Sequence, residues 1–511
     1  KYKDGENLRT YDYVVANPPF SDKTWSTGLI PSSDPFQRFS WGEPPEKQGD
    51  YAYLLHIIRS MKSKGKGACI LPHGVLFRGN AEAVIRKQLV KSGYLKGIIG
   101  LPPNLFYGTG IPACILVLDK ENAPARKGVF MIEASRGFIK DGNKNRLRER
   151  DIHKIIDVFI NTKDTQGFSR IVPFDEIADI KNNYNLNLSR YIDSSEVEDH
   201  QDIDGHLNGG IPIQDVETLG DYWLVCPDLR SSLFKDRRQG YVDLRIERNK
   251  LKRYIQEHPQ FNSFVEGINN HFLQWREKTV ISLKHLGKNC IPKEIIREHS
   301  ESLLRHYENH ENQSLIDSYA IYQKLHDYWD ETMQDDCYII SEVGWIAEPH
   351  RVFEAAKSGK DKGKLKEKGW ACDLVPKPLI IARYFAKERA MIDDQLCELD
   401  NLIAQLTELE EVNGGEEGAF AELEKINKVE VSKRVKLIKE NPAYDDETKV
   451  LTKWLSLNKK QTELKKVAKQ ADTSLDLRSH DKYSELSEEV VKDIVVDHKW
   501  MTMFDKIIHD E

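Results

Sequence analysis

Asn17-Pro18-Pro19-Phe20 is the stretch of this 511-residue chain whose residue types and order could do chemistry. The exocyclic amine of a nucleobase is a poor nucleophile, because its lone pair is delocalised into the ring. Two acceptors that hold both amine hydrogens favour a more tetrahedral nitrogen, whose lone pair can attack an electrophile. The side-chain oxygen of Asn17 and the backbone carbonyl of Pro18 supply such a pair. Proline fixes its own φ near about −65° and restricts the residue before it, so Pro18 and Pro19 aim these oxygens with little freedom left to lose. Acceptors placed in advance act where positive charge develops, on an amine becoming an ammonium. Phe20 offers a face for a base swung out of a duplex, whose amine is inaccessible inside the helix. The plainer alternative is a rigid Pro-Pro turn with no chemistry.

The elements around the tetrapeptide must hold it open. Tyr11–Ala16 reads as a short, largely apolar strand stopped by the prolines. Residues 21–49 are rich in Pro, Gly and Ser and read as a long loop, a kind that is usually functional. Asp50 is expected to cap a helix from Tyr51 to Lys62, with Leu54, Leu55 and Ile58 on one face. Gly65-Lys66-Gly67 reads as a turn into a strand, Ala68–Leu71. A helix over about Asn80–Lys91 follows, then an apolar Gly97-Ile98-Ile99 and a strand Ala113–Leu118. Strand and helix alternate as in the second half of a doubly wound α/β sheet, whose ligands bind at the carboxyl ends of the strands.

Beyond about residue 195 the character changes. Residues 196–386 read as a mixed, mainly helical extension, with a helix near Ser302–Leu325. The glycine-interrupted run Lys357, Lys360, Lys362, Lys364, Lys366 and Lys368 reads as a solvated loop. Residues 387–511 read as a helical, coiled-coil-like tail for docking another subunit. There Ile392, Leu396, Leu399, Ile403 and Leu406 follow alternating steps of four and three, an a/d seam; it is under about three heptads long, so an intrachain helical hairpin is as good a reading as a partner-binding zipper. Asn413-Gly414-Gly415 ends that helix, and a second charged helical stretch is expected from about Ala419.

Composition sets the wider bounds. No apolar run is long enough to span a membrane, and the first residues, Lys1-Tyr2-Lys3-Asp4-Gly5, have no signal-peptide core. Seven scattered cysteines form no Cys-x-x-Cys pair, so neither a metal site nor a disulfide framework is expected, and a cytoplasmic setting fits best. The net charge is −7, but residues 1–195 hold 29 Lys and Arg against 21 Asp and Glu, and the remainder holds 46 against 61. A basic front and an acidic rear suit a DNA-facing part joined to a protein-facing one; uneven solvated charge is the alternative. Arg78, Lys140, Lys144, Arg146 and Arg148 are the phosphate candidates on that front.

Further segments carry a resemblance. They are Leu71-Pro72-His73-Gly74-Val75-Leu76-Phe77-Arg78-Gly79, Leu101-Pro102-Pro103-Asn104-Leu105-Phe106-Tyr107-Gly108-Thr109-Gly110-Ile111-Pro112 and Tyr184-Asn185-Leu186-Asn187-Leu188-Ser189-Arg190-Tyr191. To these add His206-Leu207-Asn208-Gly209-Gly210-Ile211-Pro212 and Gly369-Trp370-Ala371-Cys372-Asp373-Leu374-Val375-Pro376. With the tetrapeptide they make the chain similar to the modification subunits of type I restriction systems, which are DNA amino-methyltransferases. The resemblance implies an incomplete Rossmann-like methyltransferase domain over residues 1–195. It also implies transfer of a methyl group from S-adenosylmethionine to N6 of adenine in double-stranded DNA, with Asn17 at the donor side as well. It adds Phe106, with Tyr107 second, as the aromatic on the other face of the extruded base. It implies a separate specificity subunit that reads the DNA and a restriction subunit that joins the complex. Asn185, Arg190 and Tyr191 close the catalytic domain.

One departure matters. The family places a glycine-rich loop and a ribose-binding acid ahead of the tetrapeptide, where only sixteen residues stand here. Gly108-Thr109-Gly110 is no substitute, because no suitable acid follows it. The chain is therefore expected to begin partway through a longer product and to bind S-adenosylmethionine weakly or not at all. Two other readings stay open: a solitary adenine-N6 or cytosine-N4 DNA methyltransferase, and a non-catalytic scaffold fragment.

Overall fold

A computed structural model describes residues 3–194, 201–308, 315–355, 365–415 and 418–509. Two compact units emerge, one of residues 1–266 with 303–326, the other of residues 267–302 with 327–511. This division does not fall at residues 195 and 386.

The first unit opens with a hairpin of β1 (Lys3–Asp4) and β2 (Asn7–Leu8). Its centre is a six-stranded mixed sheet, made of β3 (Tyr11–Ala16), β4 (Met61–Pro72), β5 (Leu95–Gly100), β6 (Ala113–Asp119), β7 (Gly128–Glu133) and β10 (Ser169–Pro173). The order across the sheet is β10-β7-β5-β6-β4-β3. β3 runs parallel to β4, with Ala16 beside Cys69, and β5 runs parallel to β7; β6 and β10 are antiparallel to their neighbours. Hence β3, β4, β5 and β7 all finish on one edge. That edge receives Asn17, His73, Leu101 and Ala134.

Period-two alternation puts apolar side chains on both faces. Ile98, Leu116, Leu118, Val129 and Met131 join a core with Leu54, Leu55 and Ile58 of α1 (Asp50–Ser60) and Ile85 and Leu89 of α2 (Asn80–Lys91). Their neighbours Ile99, Phe130 and Ile132 face the other way, onto Ile155 and Val158 of α3 (Glu149–Asn161). Phe159 of α3 lies where a Cβ on Gly97 would sit at 2.6 Å, so only glycine lets that helix close on β5. β3 is the outermost strand, and Tyr13 and Val15 on it are 75% and 78% exposed.

Several expectations need adjustment. The helix after residue 50 stops at Ser60, and the strand begins at Met61 and runs through the expected Gly65–Gly67 turn. Asp50 makes no cap hydrogen bond; its carboxylate is spent elsewhere, as described below. A hairpin of β8 (Ile139–Asp141) and β9 (Lys144–Arg146) projects beyond β7. Residues 203–244 hold a small sheet of β11 (Ile211–Pro212), β12 (Phe234–Arg238) and β13 (Tyr241–Leu244) among short helices.

The second unit is largely helical, with a hairpin of β14 (His350–Ala355) and β15 (Leu365–Ala371). Lys357, Lys360, Lys362 and Lys364 lie outside the described residues. The expected helix near Ser302–Leu325 is two helices, Pro292–Glu308 and Ser318–Tyr328. The long helix Ala386–Val412 lies along Asp445–Lys482. Ile392, Leu399 and Leu406 are buried as a seam requires, while Leu396 and Ile403 are 39% and 42% exposed. The stretch from Ala419 is not helical until Lys428, where the Asn427 side chain accepts the amides of Val429 and Glu430 and starts the helix Lys428–Ile438. No helix among the described residues is long and apolar enough to cross a membrane.

Candidate functional site

The end of β3 delivers Asn17 to the sheet edge with its side chain exposed. Pro18 is buried, Pro19 exposed and Phe20 half-buried, so the turn is anchored at one proline and open around it. The chain then reverses at Ser21, a non-glycine residue at φ 51°. Such a conformation persists only where its surroundings fix it. Here the fixing group is Asp50, whose Oδ1 accepts the Ser21 amide at 2.7 Å.

Asp50 is fully buried, and burying a carboxylate is costly unless it is paired and hydrogen-bonded. Its Oδ2 takes the Arg78 guanidinium at 2.8 Å, and the same arginine nitrogen reaches Gln48 at 3.1 Å and Glu82 at 3.3 Å. Arg78, expected as a phosphate contact, is thus the counter-ion of two buried acids. Burial pushes the Glu82 carboxyl above its ordinary range, with the nearby Asp50 adding and Arg78 opposing. Asp22 braces the same loop: its carboxylate accepts the Tyr53 hydroxyl at 2.7 Å and its carbonyl accepts the Gly49 amide at 2.9 Å. The Tyr53 hydroxyl, followed by the amide and hydroxyl of Thr24, holds the Asp22 carboxyl below its ordinary range.

Opposite the tetrapeptide stands the segment between β5 and β6, residues 101–112. Phe106 meets Phe20 edge to face, with ring centroids 5.8 Å apart and planes at 75°. The two aromatics singled out from distant parts of the sequence are therefore neighbours. Tyr107 points away and is 94% exposed.

The remaining cations divide. Lys144 donates to the carbonyls of Phe106 at 2.8 Å and Thr109 at 3.1 Å, so its ammonium is used inside the protein rather than offered to phosphate. Arg148 pairs with Asp151 through two nitrogens, at 2.8 and 3.0 Å, beside a cavity of about 420 Å³ past the end of β7. Lys140 is exposed, and exposed Arg146 lies 3.6 Å from Asp141. Tyr191 is buried and its hydroxyl donates to the Asn185 carbonyl at 2.5 Å, a packing role.

Sequence reasoning missed Asp50 as a support of the turn, because an acid at a helix start carries the same signature as a cap. It also missed Asn145, which donates its amide to Asn104 at 3.1 Å and its side chain to Pro103 at 2.7 Å.

Residues 3–16 form the β1–β2 hairpin and β3, and hold no glycine-rich strand–turn–helix. Among the described residues no group of His, Cys, Asp and Glu is placed to hold a metal ion.

The N-6 DNA Methylase family model matches residues 1–200. Those residues are thus similar to the N-6 DNA methylase family. The same segment is similar to the type I restriction enzyme MjaVII methylase subunit of Methanocaldococcus jannaschii, 36% identical over 202 residues, covering 38% of this chain and 34% of the relative. It is also similar to the type I restriction enzyme MpnII methylase subunit of Mycoplasma pneumoniae, 32% identical over 206 residues, covering 40% of this chain and 37% of the relative. A solved type I restriction-modification system methyltransferase subunit from Streptococcus thermophilus is 38% identical, covering 36% of this chain and 39% of that one, with a TM-score of 0.33. The chain spans about a third of the length of these curated relatives.

Proposed function

We propose that this chain is the adenine-methylating part of a type I modification subunit, acting on N6 of adenine in double-stranded DNA. The observation that carries the reading is the exposed Asn17 at the carboxyl edge of the sheet, beside the edge-to-face contact of Phe20 with Phe106. An adenine extruded to this edge lies beside the Phe20–Phe106 pair, which must part for the base to stack between the two rings. Asn17 Oδ1 and the Pro18 carbonyl accept the two N6 hydrogens and leave the nitrogen lone pair free to attack. Asp50 and Asp22 keep the turn in place, so the acceptors need no rearrangement during reaction.

S-adenosylmethionine, the donor the family implies, supplies an electrophilic methyl group. With the donor bound, its sulfur–methyl bond would break as the N6–methyl bond forms, S-adenosylhomocysteine would leave, and the resulting ammonium would lose one N6 proton to solvent. The free edge of β3 and the exposed Tyr13 and Val15 beside it are the surface on which a donor-binding half of the sheet would add. A specificity subunit chooses the DNA sequence and a restriction subunit completes the cytoplasmic complex. The exposed Leu396 and Ile403 stripe of helix Ala386–Val412 is the docking candidate for the specificity subunit.

The test is the identity of the methylated nucleoside. The complete subunit containing this chain, with its specificity subunit, duplex DNA and labelled S-adenosylmethionine, should yield N6-methyladenine. N4-methylcytosine, or no methylated base, overturns the reading.

A further inference from the structure

Residues 101–112 are held in an unusual way for a surface loop. Two consecutive residues of β9 take four of its carbonyls. The Lys144 ammonium bonds those of Phe106 and Thr109, the Asn145 amide bonds that of Asn104, and the Asn145 side chain bonds that of Pro103. The loop also bonds itself, through the Asn104 amide to Gly110 and the Ile111 amide to the Thr109 hydroxyl. Asn104 at φ 56° and Gly108 at φ 80° make the sharp bends. The product is a stiff projection in which adjacent aromatics face opposite ways. Phe106 packs inward against Phe20, and Tyr107 stands 94% exposed at the tip. An isolated, fully presented tyrosine gains nothing for the fold, since its ring buries almost no area.

We propose that Asn104–Ile111 is a wedge that enters duplex DNA, with Tyr107 filling the gap left by the extruded base and the β8–β9 hairpin as the strap that fixes it. This rests on the reading of the site as one that acts on an extruded base. Extruding a base costs stacking and pairing on both sides of the gap. A side chain that inserts between base steps restores part of the stack, and a planar ring does so for any neighbouring sequence. Rigidity matters, because a wedge already ordered loses little entropy on insertion. Lys144 and Asn145 are positioning residues, acting through the loop. Lys140 and Arg146 on the strap are exposed, Arg146 beside Asp141 at 3.6 Å.

The experiment uses the full chain and two duplexes, one intact and one with a single abasic gap flanked by 2-aminopurine. The gapped duplex should bind about tenfold more tightly, the scale of one aromatic–base stack, with the 2-aminopurine quenched. Tyr107→Ala should bring the affinity ratio to about one, and Tyr107→Phe should keep it. Lys144→Met and Asn145→Asp should lower the ratio and speed hydrogen exchange of the amides in 104–111, with an unchanged melting temperature showing that the fold survives. Equal affinity for the two duplexes, including none for either, or a ratio that survives Tyr107→Ala, overturns the wedge. Exchange unaltered in both strap variants overturns the strap. None of these readouts uses Asn17, so failure of the methylation reading and failure of the wedge are separable.

Discussion

The buried Asp50 carboxylate accepts the Ser21 amide at 2.7 Å and so fixes the chain one residue beyond Phe20. Its other oxygen holds Arg78 at 2.8 Å. A buried acid paired with a half-buried arginine is therefore what aims the Asn17–Phe20 turn.

Arg78→Ala leaves the Asp50 and Glu82 carboxylates, 0% and 2% exposed, without their cation. Breaking such a pair from one side costs about 3–5 kcal/mol. Urea unfolding at pH 7 should show a loss of that order, and a loss under about 1 kcal/mol would assign Arg78 to the surface role expected from sequence.

Glu82 gives a pH dependence with a definite sign. Its folded pKa is raised above the ordinary 4.5, chiefly by burial. The folded state therefore binds the proton more tightly than the unfolded state. Stability from this group is greatest below the unfolded value and falls as pH rises through the raised one. Glu82→Gln should be more stable than the parent at pH 7 and lose that advantage near pH 4. A stability difference independent of pH would contradict the assignment.

Phe20 and Phe106 should be coupled. Edge-to-face aromatic pairs contribute about 0.5–1.5 kcal/mol beyond their burial. A double-mutant cycle of Phe20→Ala and Phe106→Ala, read by unfolding, should return a coupling in that range; strict additivity would mean the rings do not meet in solution.

Within helix Ala386–Val412 the two stripes should separate. Leu399→Ala empties a buried site and should cost about 2–5 kcal/mol. Leu396→Glu and Ile403→Glu lie at half-exposed positions, should leave unfolding nearly unchanged, and should abolish binding of the specificity subunit in a pull-down. Retained binding in both would move the docking surface elsewhere.

The tetrapeptide was legible because proline constrains backbone locally: an apolar strand followed by Pro18-Pro19 has few ways to run. The alternation of Ile98 with Ile99, and of Met131 with Ile132, likewise encodes two sheet faces in short-range order. Other features depend on partners far along the chain. Asp50 looks like a cap until Ser21 and Arg78 are seen on its two oxygens. Lys144 looks like a phosphate-binding cation until the Phe106 and Thr109 carbonyls are placed beside it. The heptad pattern of 392–406 identified a seam, yet only packing decides that Leu396 and Ile403 lie off it. Residues 61–67 are polar and glycine-containing, so nothing local marks them as strand. They are strand because β3 and β6 flank β4.

The most direct test is methyl transfer by Asn17→Ala in the complete subunit with its specificity subunit, scored as labelled methyl incorporated into duplex DNA. With the Asn17 acceptor gone, the rate should fall by about two to three orders of magnitude, the scale of removing one preorganised hydrogen-bonding group, with the melting temperature unchanged. Transfer within about twofold of the parent would contradict the account, because the amine would then be activated without Asn17.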